Sequence, residues 1–324
     1  MQITYTQHNT SALPFTKDAP WLAPMAGYSD LAFRLLARSY GAACCCTEMI
    51  SAKGLIYQSK GTWPLLKTTP SDTPLIVQLF GAEPEFLAAS VSLLREKGYS
   101  YFDLNVGCSV PKVMRQNAGA ALLSNPQVLL DCASAMIKSA EPGHVGFKLR
   151  LGLDAQHPCP DIALSLEDLG AGWITLHPRY AKQYFKGTAD LTKLTSLAKR
   201  IRIPLVASGD LFTAEQGVQC LSITNCNTVM YARGALRNPQ IFQEHKALLN
   251  ATPLPEKNLR ELLCQYLHFV ELAYPDRDQT KRMRGILAAL VHGEPRAKEI
   301  RRALCQVEEW SKLYTLIDQF FPAK

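Results

Sequence analysis

The chain has 324 residues, 47% of them apolar and 19% charged, with a formal net charge of +7. Those values exclude a disordered or fibrous chain, and a chain this long buries about 75% of its extended surface on folding. No apolar run nears the roughly 20 residues that cross a bilayer, and residues 1–17 lack the apolar core of a signal peptide. The expectation is a cytoplasmic protein, off the membrane, with its ten cysteines reduced. Cys44, Cys45 and Cys46 are contiguous and no Cys-x-x-Cys pair occurs, so no metal is expected and packing is the cysteines' expected role. The modest positive charge favours an anionic partner without establishing one, and a monomer is the default.

Apolar segments bounded by turn residues predict strands at 21–25, 43–49, 75–79, 101–105, 145–149, 173–177, 205–208 and 228–232. Helical periodicity fills most gaps, at 31–38, 84–97, 125–139, 161–169, 191–200, 213–221 and 239–249, with Ser29-Asp30 capping the first. Strands apolar on both parities suit a parallel sheet covered by helices. Eight such units, with no Gly-x-Gly-x-x-Gly after the first strand, predict a (β/α)8 TIM barrel over 1–250. Residues 50–72 are a Ser/Thr/Pro-rich connection that either walls the active site or wanders over the surface. After a Pro-rich linker at 252–257, helices at 259–273, 279–291, 296–307 and 311–320 predict a small all-α helical bundle, a second domain over 251–324. Its basic run holds Arg277, Lys281, Arg282, Arg284, Arg296, Lys298, Arg301 and Arg302 against Asp278, Glu294 and Glu299. A solvated charged face and an RNA contact share that pattern.

Catalytic groups of such a barrel lie at the C-terminal strand ends, and those ends are polar here. Gln78 ends the third strand, Asn105 with Cys108 the fourth, Lys148 with Arg150 the fifth, and His177 with Arg179 the sixth. Cys108 by itself could be a small buried hydrophobe. Asp103, Asn105 and Lys112 crowd it, however, and a thiol beside a cation can exchange protons. The last two strands end at Ser208-Gly209-Asp210 and Ala232-Arg233-Gly234, each followed by a helix, the usual phosphate position of this barrel.

The stretch Asn105-Val106-Gly107-Cys108-Ser109-Val110-Pro111-Lys112-Val113 resembles the Asn-x-Gly-Cys-Pro-x-x-Lys-Val segment of the bacterial tRNA-dihydrouridine synthases. Residues 23–30, Thr47-Glu48-Met49, Gln78, Lys148, His177 and the two phosphate loops follow that family in type and order across nearly the whole chain. The resemblance implies FMN in the barrel mouth, against Pro24, Met25 and Ala26. Gln78, Lys148 and His177 would meet its polar edge, and Ser208, Gly209, Asp210, Ala232 and Arg233 its ribityl phosphate. NADPH or NADH would be the electron donor, Cys108 the proton donor, and tRNA the partner, contacted by Asn105, Lys112, Arg179, Arg282 and Arg284. The helical domain would bind the tRNA, so deleting 255–324 is expected to abolish tRNA reduction and leave flavin bound. Four positions depart from the pattern: Ser109 replaces proline, Pro178 glycine, Ser208 asparagine and Ala232 glycine. The rival readings are a flavin barrel acting on a small molecule, a free dihydropyrimidine or an enone, and an RNA-binding protein without activity.

Overall fold

The computed structural model describes residues 3–7, 11–159, 161–275 and 278–322; Arg277 of the basic run lies outside them. Eight parallel strands close into a barrel: β1 (Trp21–Leu22), β2 (Cys44–Cys46), β3 (Leu75–Phe80), β4 (Tyr101–Val106), β5 (Val145–Arg150), β6 (Trp173–His177), β7 (Leu205–Ser208) and β8 (Thr228–Tyr231). Each pairs with its chain neighbour, and the pairing of β1 with β8 joins the ends. The predicted (β/α)8 barrel is therefore the fold, followed by a helical C-terminal region.

Alternation along the strands builds the interior in layers. Trp21, Cys44, Cys46, Ile76, Tyr101, Trp173, Val206 and Met230 fill the lower barrel as one apolar cluster. Two residues further along, the same inward parity brings Gln78, Asp103, Lys148, Thr175 and Ser208 to the upper half. The opposite parity, such as Leu75, Val77, Phe102, Leu104 and Phe147, packs outward under the helices. Both parities are thus apolar in the lower half, which is why the segments read as continuous runs. Side-chain caps start several helices: Asp30 accepts from Phe33 N before Leu31–Ser39, Asn258 from Glu261 N before Leu259–Ala273, and Thr213 with Gln216 forms a capping box before Ala214–Thr224.

The structure departs from the sequence expectation in three places. The first two strands are shorter than predicted, because the ladder stops ahead of Pro24 and Thr47. Residues 50–72 do not line the main cavity, and their tip at 57–61 runs exposed over the surface. Ile50–Ser51 extends the sheet beside β3, Ala52–Ile56 is a short helix, and Asp72 is buried between Arg34 (2.8 Å) and Arg38 (2.8 Å). A small antiparallel hairpin, Gly152–Asp154 with His157–Pro158, follows β5; strands of two or three residues carry no periodicity to read.

Beyond 250 the helices Leu259–Ala273, Thr280–Leu290, Ala297–Gln306 and Ser311–Phe320 stand close to their predicted bounds. They share one apolar core with the barrel's outer layer. Tyr266 packs edge-on against Phe33 at 6.4 Å, and Lys67 donates to Ala273 O at 3.1 Å. Removing 255–324 would therefore uncover the apolar face of Leu31–Ser39, a larger perturbation than the loss of a separate binding lobe.

Candidate active site

A cavity of about 360 Å³ opens at the C-terminal end of the barrel. Its lining gathers Pro24, Met25, Ala26, Gln78, Asn105, Cys108, Lys148, His177, Ser208, Gly209, Asp210, Ala232 and Arg233. These residues are scattered over more than 200 positions of sequence, and closure of the barrel is what brings them together. The lining also includes Arg150, Tyr28, Phe185 and Phe212. Arg150 was visible as a polar strand end, but the aromatics sit on irregular loops, where no spacing marks them.

A chain of amides crosses the floor, and its direction is fixed at one end. Asn105 Oδ1 accepts from the backbone N–H groups of Gly107 (3.2 Å) and Cys108 (2.9 Å). Its Nδ2 must then donate, and does so to Gln78 Oε1 at 2.9 Å; Gln78 Nε2 in turn donates to Asp103 Oδ2 at 2.7 Å. Burial pushes the Asp103 carboxyl up to about 7, against the Gln78 hydrogen bond and the nearby Lys148 charge. The same burial, with repulsion from Arg150, pulls Lys148 below the usual lysine range.

Cys108 is pinned from both sides. Its N–H is held by Asn105, and its carbonyl accepts from Ala120 N at 2.9 Å. Gly119 sits at φ +64, where a Cβ would lie 2.6 Å from Cys108 O, so only glycine permits this approach. These contacts shape the loop without a proline at Ser109. At Pro178, Arg179 N donates to His177 O at 2.7 Å, a three-residue turn that a proline's fixed φ suits.

The far side of the cavity is cationic. Arg179 is buried and forks onto Asp210, Nη1 to Oδ1 at 2.7 Å and Nη2 to Oδ2 at 2.5 Å, and also donates to Gly187 O at 2.6 Å. Burial pushes Asp210 up, but the Arg179 fork and the Ala189 amide outweigh it and hold the carboxyl below its ordinary value. Arg179 also donates to His177 Nε2 at 3.3 Å, which assigns the ring proton to Nδ1. Burial, with Lys148 and three arginines around it, drives His177 down to about 2, so the imidazole is neutral. Arg233 lies over Phe185 at 4.2 Å and Phe212 at 4.7 Å. Gly209, at φ +108, would drive a Cβ to 2.5 Å from His177 Cδ2. Lys148 has no hydrogen-bond or ion-pair partner among the described residues.

Four of the candidate residues do not line the cavity. Lys112 is exposed on the short helix Pro111–Met114. Arg179 stands behind Asp210. Arg282 is bonded to Glu48 (3.2 Å) and Asp30 (3.3 Å), and Arg284 donates to Val307 O. No spacing rule could show those engagements, because the partners of Arg282 are more than 230 residues away.

Among the described residues no helix is long and apolar enough to cross a membrane. The family model for dihydrouridine synthase matches residues 21–322. The chain is 31% identical over 308 residues to a probable tRNA-dihydrouridine synthase of Treponema pallidum, covering 91% of each chain. It is 30% identical over 311 residues to that of Aquifex aeolicus, covering 94% of this chain and 96% of the relative. A tRNA-dihydrouridine synthase B of Shewanella oneidensis is 28% identical over 305 residues, with 93% and 94% covered. Among solved structures, a variant of NCR from Zymomonas mobilis superposes with a TM-score of 0.50 at 14% identity, covering 80% of this chain and 93% of that one, a likeness of fold alone. With a family model spanning almost the whole chain and relatives matched over nearly their full length, the protein belongs to the dihydrouridine synthase family, an oxidoreductase family.

Proposed function

We propose that the chain reduces the C5–C6 double bond of uridines in tRNA, with FMN as resident cofactor and NADPH or NADH as electron donor. The observation that carries this reading is the charge of the cavity. Lys148, Arg150 and Arg233 face it, and its one carboxylate, Asp210, is shared by Arg179 and Arg233 (3.5 Å), which leaves Lys148 unpaired among the described residues. A surplus of buried and half-buried cations beside the apolar side chains Met25, Met230 and Leu236 suits a planar group that carries a phosphate and gains negative charge on reduction. FMN is such a group. Arg233 with the loop 208–210 would hold its phosphate end, Lys148 and His177 the ring's polar edge, and Pro24, Met25 and Ala26 its flank. Bound there, FMN supplies hydride chemistry.

The chain's own residues do the rest. Lys148 places a positive charge where the cofactor becomes anionic, and neutral His177 offers an N–H without adding charge. The amide chain from Asp103 holds Asn105 so that its oxygen braces the Cys108 loop. From that loop Cys108 gives its S–H proton to one carbon of the uracil double bond as the neighbouring carbon gains hydride, and recovers a proton from solvent. A stacked uridine cannot enter, so it is extruded at a cost of a few kcal/mol. Phosphate contacts by exposed cations whose side chains make no hydrogen bond or ion pair among the described residues, Lys112 on the rim and Lys281, Lys298 and Arg302 on the helical region, offset that cost. In this reading residues 1–250 are the catalytic domain and 251–324 the tRNA-binding domain, acting as a cytoplasmic monomer.

Incubation with FMN, NADPH and unmodified tRNA, followed by mapping of dihydrouridine, tests the proposal. Dihydrouridine at defined positions is expected. Turnover of a free pyrimidine or an enone, with tRNA untouched, would replace it with the small-molecule reading.

A further inference from the structure

The loop 25–30 forms the lip of the cavity through Met25, Ala26 and Tyr28. The loop closes on itself, with Tyr28 N and Ser29 N donating to Met25 O at 2.9 Å each and Met25 N to Ser29 Oγ at 2.8 Å. A Cβ on Gly27 would meet nothing within 4 Å, so packing does not fix the tip. What reaches it from the rest of the chain is Glu48, whose Oε2 accepts from the Gly27 N–H. Glu48 is buried at 7% exposure, and its second oxygen accepts from Arg282 Nη2 at 3.2 Å. The same nitrogen lies 3.3 Å from Asp30 Oδ2, which also accepts from Tyr274 OH at 3.1 Å, while Asp30 Oδ1 caps Leu31–Ser39 through Phe33 N at 3.0 Å. One arginine of the helical region therefore neutralises two buried carboxylates at the two ends of the lip.

We infer that Arg282 is a positioning residue for the cavity lip, acting through Glu48 on Gly27 and through Asp30 on the first barrel helix. Burial pushes the Glu48 carboxyl up and Arg282 pulls it back. Without the guanidinium, Glu48 is a buried carboxylate with a single backbone donor, and it protonates or swings out toward water. Either change weakens the Gly27 tether. The helical region then serves the catalytic end of the barrel directly, besides any part in binding RNA. This holds whatever the substrate, because every contact lies within the chain. It also separates Arg282 from its neighbour Lys281, whose ammonium makes no hydrogen bond or ion pair among the described residues.

Hydrogen–deuterium exchange of the full-length chain, paired with tRNA binding over a range of salt, tests the inference. Arg282→Ala and Glu48→Gln should each speed exchange at Gly27 at least tenfold, with strand 101–106 unchanged. The double variant should add nothing, and Arg282→Lys should restore most of the protection. The slope of log affinity against log salt should be unchanged in Arg282→Ala, whereas Lys281→Ala, as a phosphate contact, loses about one unit. Unaltered protection at Gly27, or a slope smaller by about one unit in Arg282→Ala, overturns the inference. Should Arg282→Ala not fold, Glu48→Gln and Arg282→Lys carry the exchange test. A wild type that binds no tRNA refutes the substrate reading, and exchange alone then decides the role of Arg282.

Discussion

At Asp72 each buried cation is fully hydrogen-bonded: Arg34 and Arg38 close on one carboxylate at 2.8 Å each, and their remaining N–H groups end on the carbonyls of Ser29, Lys67, Thr73 and Pro74. Around the cavity, in the same barrel, Asp210 is shared by Arg179 and Arg233 (3.5 Å), Arg150 donates to the carbonyls of Tyr180 and Tyr184, and Lys148 is left with neither. The first cluster is complete and ties the 50–72 connection to the first helix. The second leaves the Lys148 ammonium without a hydrogen-bond or ion-pair partner among the described residues, which the fold maintains at a cost in stability. Buried charge marks structure where its donors all end on acceptors inside the chain, and a binding site where they do not.

Breaking the fully bonded cluster should have the largest effect. Asp72→Ala leaves two buried guanidinium groups facing each other, and a loss of about 3–5 kcal/mol is expected in urea unfolding. A loss below about 1 kcal/mol would mean that Arg34 and Arg38 are held by carbonyls alone, and the contrast would fail. On the cavity side, Cys108→Ala should slow dihydrouridine formation about 10²–10⁴-fold in single turnover with tRNA affinity unchanged. Normal single-turnover rates would remove Cys108 as the acid.

Asp103 sharpens the comparison, since it is a buried acid with no full ionic partner. Its carboxyl ionises near 3.8 when unfolded and near 7 in the folded chain. Between those values the folded state keeps a proton that the unfolded state has released, so this group's contribution to stability falls as pH rises from about 4 to 7 and is level above. Asp103→Asn keeps an acceptor for Gln78 but cannot ionise. Relative to wild type it should gain on the order of 4 kcal/mol between pH 4 and pH 8, read from urea midpoints; parallel pH profiles would contradict it. The smallest effect belongs to exposed pairs such as Arg296 with Glu299 at 2.7 Å, where Glu299→Ala should leave the urea midpoint where it is in wild type.

Much of this was legible in the sequence, for identifiable reasons. Strands such as 75–79 and 101–105 are bounded by turn residues, so their C-terminal polar residues pointed to one rim before any coordinates. Cys108, Lys148, His177 and Arg233 were visible because a polar group at the end of an apolar strand is a local signal. What escaped was whatever depends on a distant partner. Arg179 and Arg282 read as tRNA contacts, because Asp210 and Glu48 are brought to them only by the closed barrel and the docked helices. Phe185 and Phe212 escaped because loop aromatics carry no period, and the hairpin at 152–158 because its strands are too short to alternate.

The central claim is that the unpaired charge of Lys148 is kept for an anionic flavin, and Lys148→Met tests it most directly. FMN titration and urea unfolding of the same variant should move in opposite directions. The cofactor-free chain should be about 1 kcal/mol more stable, because a buried charge without a partner is gone, while the FMN dissociation constant should rise at least tenfold. A variant that is less stable, yet binds FMN as tightly as wild type, would contradict the account.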